Sequence, residues 1–196
     1  MSDLFERYPE LKECEWDIGS AIGALTATFK CGKKVLVFGN GGSACDAEHI
    51  VGELMKSFKL PRKVTNERIS PDLREKLQGA LPIISLNSQT GLMTAIANDI
   101  DGDMVFAQQV YGYADECDLI IGISTSGNSK NVVNAIRLAN DLDLVSIVLT
   151  GKDGGKLKDL GTISICVPAT ETYKIQEYHL AVYHYICAEV EKEIFG

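Results

Sequence analysis

The chain predicts an α/β fold: a three-layer sandwich with a five-stranded, mainly parallel sheet flanked by helices. Three observations carry this. Short apolar runs of the buried-strand type recur over 34–38, 81–86, 119–123, 145–149 and 163–167. Amphipathic helical patterns separate them, as crossovers between parallel strands require. Two of the strand ends run into turns rich in glycine, hydroxyls and amides, Gly39-Asn40-Gly41-Gly42-Ser43 and Ser124-Thr125-Ser126-Gly127-Asn128-Ser129.

Taken in order, Pro9 opens a helical segment that Gly32 ends. Within it Leu11, Cys14, Ile18, Ile22, Leu25 and Phe29 form one apolar stripe at three- to four-residue spacing. The first strand feeds the first glycine turn and a helix over 43–58. The segment 60–80 is polar and carries prolines, with Ser70-Pro71 starting a short helix. Its length marks it as a functional excursion or a locally disordered stretch. Helical patterns over 90–98 and 103–113 follow the second strand, and the third leads through the second turn into a helix over 129–140. The fourth strand ends at Thr150–Gly155, an ordinary tight turn or a third ligand-facing loop, before a short helix. After the fifth strand a long helix runs over 171–194.

At 196 residues the chain is long enough for one substantial core and short for two domains, so residues 1–196 are read as a single domain. A net charge of −8 argues against nucleic acid or an anionic membrane as a general partner. Lys56, Lys59, Arg62 and Lys63 form a local basic cluster, which faces an anionic substrate or is a solvated helix end. No apolar run approaches the roughly 20 residues of a membrane span. The six cysteines, Cys14, Cys31, Cys45, Cys117, Cys166 and Cys187, form no Cys-x-x-Cys, and no signal-peptide pattern accompanies them. They are expected to be reduced, mostly buried thiols of a cytoplasmic protein.

The two turns suit a small phosphorylated or polyhydroxylated ligand. Glycine admits close backbone approach, and N–H groups at a helix start point at an anion that the helix dipole favours. Neither turn ends in the Gly-Lys-Ser/Thr of a P-loop, and the first lacks the Rossmann glycine spacing, so nucleotide binding is not supported. The three histidines are His49, His179 and His184. His49 and Glu53 stand four apart on one helix face, as a metal or acid/base pair or as a surface ion pair. Gln176 and His184 lie eight apart, two turns along the last helix and on broadly the same side. His179 and His184 are equally compatible with satisfied helix histidines. Asn98-Asp99 offers an amide and a carboxylate, or simply a helix stop.

Taken together, the stretches 39–49, 122–129, 149–155 and 175–179 resemble the SIS (sugar isomerase) domain family, and within it the phosphoheptose isomerase branch. The resemblance spans about 33–193 with a gap over 60–80. It implies an SIS fold and an isomerase taking sedoheptulose 7-phosphate to D-glycero-D-manno-heptose 7-phosphate through an enediol, for nucleotide-activated heptose synthesis. By the same resemblance Ser124, Thr125, Ser126 and Ser129 hold the phosphate, while Asn40, Gly41, Ser43, Asp99 and Gln176 meet the sugar. His49, Glu53, Gln176 and His184 match the zinc site, and Glu53 and His184 the acid/base pair. A homotetramer with shared active sites is implied, so that His184 would act in a partner's site. Two positions depart from the pattern: Ser57 stands where an arginine is expected and Tyr173 where an aspartate is expected. Both expected residues touch substrate, so the departures bear on the sugar; Lys56 or Lys59 are candidates to replace the missing charge. Another ketose phosphate is the alternative substrate. Non-catalytic SIS proteins that sense a sugar phosphate or bind a protein are the other alternative, and such a module has no reason to keep His49, Glu53, Gln176 and His184 complete.

Overall fold

The computed structural model describes residues 2–196. Strands β1 (Val35–Gly39), β2 (Ile83–Ser85), β3 (Leu119–Ile123), β4 (Val145–Thr150) and β5 (Ile163–Cys166) form one sheet in the order β2-β1-β3-β4-β5. Every neighbouring pair is parallel, so the expected mainly parallel sheet is wholly so. The order reverses between β1 and β3, and both ligand-type turns leave the carboxyl ends of these two strands. That is the position where doubly wound sheets bind their ligands.

The helices are α1 (Ser2–Arg7), α2 (Glu15–Lys30), α3 (Gly42–Met55), α4 (Pro71–Lys76), α5 (Thr90–Ile96), α6 (Val105–Tyr113), α7 (Lys130–Asp141), α8 (Leu157–Leu160) and α9 (Thr172–Phe195). Strand alternation divides the core. Val35, Val37, Ile121, Ile123, Ile147 and Leu149 face a layer of α2, α3 and α9. Leu36, Phe38, Ile120 and Val148 face α5, α6, α7 and α8. Both faces are covered, which is why the strands read as continuous apolar runs.

The differences from expectation have local causes. Pro9 starts a tight 3-10 turn over Pro9–Cys14, and α2 begins only at Glu15, so the N-terminal apolar stripe runs over two elements. Helix α3 stops at Met55 rather than near residue 58 because Arg62 turns back onto it. The Arg62 guanidinium donates to the carbonyls of Leu54 at 2.6 Å and Glu53 at 3.1 Å, oxygens that further helical turns would otherwise engage. Helix α5 closes in a π-type turn over Ala97–Asp101 and a 3-10 turn over Gly102–Met104 before α6.

Residue Arg62 also corrects the reading of the basic cluster. It is 2% exposed and ion-paired with Glu191 of α9, Nε to Oε1 at 2.7 Å. It therefore neither faces a ligand nor lies on a solvated end. Glu191 accepts in addition from the N–H groups of Phe58, Lys59 and Leu60. Burial pushes this carboxyl up, but those three donors and the guanidinium outweigh it and leave it below the usual range. The 60–80 segment is thus ordered and pinned at its start, with α4 beginning at Pro71 as expected and a bridge between Lys63 and Gln78.

All six cysteines are free, but they are not mostly buried. Cys14 and Cys187 are buried and Cys166 is half-buried, whereas Cys31, Cys45 and Cys117 are exposed. Cys31 falls just past the end of α2, Cys45 on the outer face of α3, and Cys117 in the turn before β3. Among the described residues no helix is long and apolar enough to cross a membrane.

Candidate functional site

The first turn has the shape its glycines permit. A Cβ on Gly39 would sit 2.7 Å from the Ser43 carbonyl oxygen, and Gly41 has φ 57°. The Asn87 side chain clips the end of β1 by accepting from Gly39 N–H at 3.2 Å and donating to Gly39 O at 2.8 Å. Asn40 pairs with Asn131 of α7 through two reciprocal amide hydrogen bonds of 2.8 and 2.9 Å, joining the two turns. Ser43 is buried beneath the turn at 3% exposure.

In the second turn Gly127 takes φ 64°, and the hydroxyls of Ser124 and Ser129 lie 2.9 Å apart. Thr125 and Ser126 lie between them, half-buried and exposed. Among the described residues the N–H groups of Ser126 and Ser129 have no protein acceptor, so the mouth of α7 offers donors to an anion. The loop after β4 packs directly on this turn. Gly151 N–H donates to Thr125 O at 3.0 Å, and Asn128 ties Ser126 to Lys156. A hollow of about 280 Å³ opens there, lined in part by Thr125, Ser126, Asn128, Gly151, Lys152 and Thr170. The loop over Thr150–Gly155 therefore lines the same hollow as the second turn. Larger hollows of about 420 Å³ lie beside Arg74 and between α6 and α7, and none of the expected site residues lines them.

His49 and Glu53, one turn apart on α3, meet His184 of α9. The His49 Nε2 lies 3.0 Å from Glu53 Oε1 and 3.3 Å from His184 Nε2. The three donor atoms fall within 4.8 Å of one another. Two imidazole nitrogens and a carboxylate oxygen so converging make a donor set suited to a divalent cation such as zinc. The other Glu53 oxygen faces Lys56, with Nζ 3.7 Å from Oε2. His184 stacks against Phe58, and burial followed by the neighbouring His49 holds its pKa below the ordinary histidine value. His184 thus joins His49 and Glu53 of its own chain.

Elsewhere the expected residues disperse. The Gln176 side chain rests on Gly42 at the start of α3, in the space a Cβ there would fill. Asp99 sits exposed in the turn after α5, bonded to Asn98. His179 is fully buried, its Nε2 3.2 Å from Thr150 O, and burial lowers its pKa to about 4. It is a core histidine. Ser57 accepts from Arg62 N–H, and Tyr173 is exposed. Asn87, Asn131 and Tyr183 escaped the sequence reading: single amides and a tyrosine on helices and strand ends carry no spacing signal.

Comparison with known proteins agrees with this fold. The SIS domain family pattern matches residues 6–151. A phosphoheptose isomerase of Geobacter metallireducens is 42% identical over 178 residues, covering 91% of this chain and 86% of the relative. That of Geobacter sulfurreducens is 39% identical over 184 residues, covering 94% and 89%. Among solved structures, the phosphoheptose isomerase of Francisella tularensis superposes with a TM-score of 0.80 at 30% identity, covering 96% of this chain and 94% of that one. That of Neisseria gonorrhoeae gives 0.77 at 32%, covering 95% and 94%. The chain belongs to the SIS domain family. The relatives it resembles over nearly its whole length are phosphoheptose isomerases.

Proposed function

We infer that this chain is an aldose–ketose isomerase that converts sedoheptulose 7-phosphate into D-glycero-D-manno-heptose 7-phosphate. The observation that carries the reading is the convergence of His49, Glu53 and His184 in the same chain as a hydroxyl-lined turn at the switch point of the sheet. Residues 1–196 act as one SIS domain.

In this reading Ser124, Thr125, Ser126 and Ser129 bind the phosphate at the mouth of α7, helped by its free N–H groups. Asn40, Gly41, Ser43 and Asp99 line the sugar. His49, Glu53 and His184 would hold zinc, which when bound would supply a Lewis acid that favours the enediolate. Gln176, the fourth ligand the family resemblance implies, rests beside Gly42 at the start of the same helix. Isomerisation moves a proton between C1 and C2, so one group must take and return a carbon-bound proton while another manages the oxygen protons. Glu53 does the first, and its two oxygens divide the work, Oε1 facing the cluster and Oε2 open toward Lys56. His184 does the second; its depressed pKa keeps a neutral imidazole ready near pH 7. Lys56 supplies the positive charge that Ser57 lacks.

The enzyme works in the cytoplasm as a homotetramer whose subunits complete one another's sites. In support, α2 leaves Trp16 83% exposed, and Ile100 and Tyr111 are also bare. The experiment is turnover of sedoheptulose 7-phosphate by the zinc-loaded protein. Turnover of a different ketose phosphate in its place would move the substrate assignment and point to Ser57 and Tyr173. Binding without any turnover would overturn the enzyme reading.

A further inference from the structure

We infer that Asp46 and Tyr183 set the tautomer of His49 and so aim its Nε2 lone pair into the metal position. The inference rests on the metal-site reading above and deepens it. Tyr183, 2% exposed on α9, donates its hydroxyl to Asp46 Oδ1 at 3.3 Å, and the same oxygen lies 2.9 Å from His49 Nδ1. The second Asp46 oxygen, Oδ2, is buried and has no hydrogen-bond partner among the described residues.

The direction of the chain follows from counting protons. A carboxylate only accepts, and a phenol has one proton to give. The hydroxyl of Tyr183 is the side-chain donor that reaches Asp46, so its proton goes there. The Tyr183 oxygen can then meet His49 Nδ1 only as an acceptor, which places the imidazole proton on Nδ1. His49 Nε2 then keeps its lone pair, and its approaches of 3.0 Å to Glu53 Oε1 and 3.3 Å to His184 Nε2 are contacts for a cation to bridge rather than hydrogen bonds. Glu53 is the competing acceptor that would draw the proton to Nε2 once the Tyr183 oxygen is lost. A metal-ligating histidine needs this state, fixed by a partner on its other nitrogen. The opposite direction would put a proton on Nε2 in the space a cation must enter.

The same tyrosine braces the site mechanically. Its ring stands edge-on to His49 at 5.4 Å and to His184 at 4.9 Å between centroids. Sequence proximity assembles the relay: Asp46 precedes His49 by three positions on α3, and Tyr183 is the residue before His184 on α9. Asp46 and Tyr183 are positioning residues.

The test uses the full-length protein labelled with 15N-histidine, stripped of metal and held at pH 8. Long-range proton–nitrogen correlation reads the His49 tautomer, assigned by the signal lost in His49→Gln. Wild type is expected to carry the proton on Nδ1, and Tyr183→Phe to shift it to Nε2. Zinc affinity, measured by competition with a chromogenic chelator, is expected to fall roughly 10- to 100-fold in Tyr183→Phe and in Asp46→Asn. Phenylalanine keeps the ring packing, and thermal unfolding of the metal-free variant confirms that it folds. A wild-type His49 protonated on Nε2, or a Tyr183→Phe protein whose zinc affinity stays within twofold of wild type, overturns the inference. A wild type that binds no zinc would defeat the metal-site reading instead, while the tautomer spectrum still decides the relay.

Discussion

The carboxamides of Asn40 and Asn131 clasp each other across 91 positions of chain, each donating to the other. This pair joins the glycine turn after β1 to the start of α7, and so fixes the spacing between the two turns that the proposed function assigns to the sugar and the phosphate. Asn131→Ala removes the clasp and leaves the Asn40 amide free to rotate. The expected result is a modest loss of stability, about 1 kcal/mol, and a several-fold rise in KM with little change in kcat. Thermal unfolding and steady-state kinetics check both. An unchanged KM would mean that the clasp does not set the site.

The hydroxyls of Ser124 and Ser129 share one hydrogen bond at the base of the second turn. If that turn binds the phosphate, Ser124→Ala and Ser129→Ala each lose a hydrogen bond to a charged group, about 1.5–3 kcal/mol. The expected effect is a rise of roughly 10- to 100-fold in KM for the phosphorylated sugar, with kcat largely kept. Inorganic phosphate should also lose its power to inhibit these variants. Retained inhibition by phosphate would place the anion elsewhere.

The strands, the two turns and the His49/Glu53 face were legible in the sequence because each rests on a local pattern: apolar runs, glycine next to hydroxyls, spacing of four. The convergence of His184 on that face was implied only by family resemblance, since it depends on how α9 lies across α3. What the sequence hid are pairings between distant polar residues. Arg62 read as one charge in a basic cluster, yet Glu191, 129 positions away, buries it. Tyr183 carried no signal of its own in the sequence, yet its hydroxyl contacts His49. No periodicity marks such partners, because the fold alone brings them together.

The Arg62–Glu191 pair ties the end of α3, the loop after it and α9 into one unit. Removing one partner leaves a buried charge without its counterion, which typically costs about 3–5 kcal/mol. Glu191→Gln is therefore expected to lower the urea midpoint strongly, and Arg62→Met likewise. The double variant Arg62→Met with Glu191→Leu should recover only part of the loss, because the N–H groups of Phe58, Lys59 and Leu60 lose their acceptor as well. Single variants no less stable than wild type would contradict the pairing.

Acid stability is expected to carry the mark of His179. Its folded pKa, near 4, is depressed below the ordinary value of 6.5 by burial. Above pH 6.5 the residue is neutral in both states and contributes no pH dependence. As pH falls from 6.5 toward 4, the unfolded chain takes up the proton first, so stability falls, by on the order of 3 kcal/mol in all. His179→Gln keeps an N–H for the Thr150 carbonyl but does not titrate in this window. Urea titrations at pH 7, 5.5 and 4.5 should show wild type losing ground to the variant as pH falls, and parallel curves would contradict the account.

The most direct test of the central claim compares wild type with Glu53→Gln by proton NMR on sedoheptulose 7-phosphate in D2O, with zinc present. Wild type is predicted to yield an aldoheptose phosphate with deuterium at C2 and wash-out at C1. Glu53→Gln is predicted to bind the sugar phosphate yet lose about 10²–10⁴-fold in kcat, the range of a missing general base. Turnover by Glu53→Gln at the wild-type rate would contradict the assignment of Glu53, and product formed by wild type without any deuterium uptake would contradict proton exchange at the enediol.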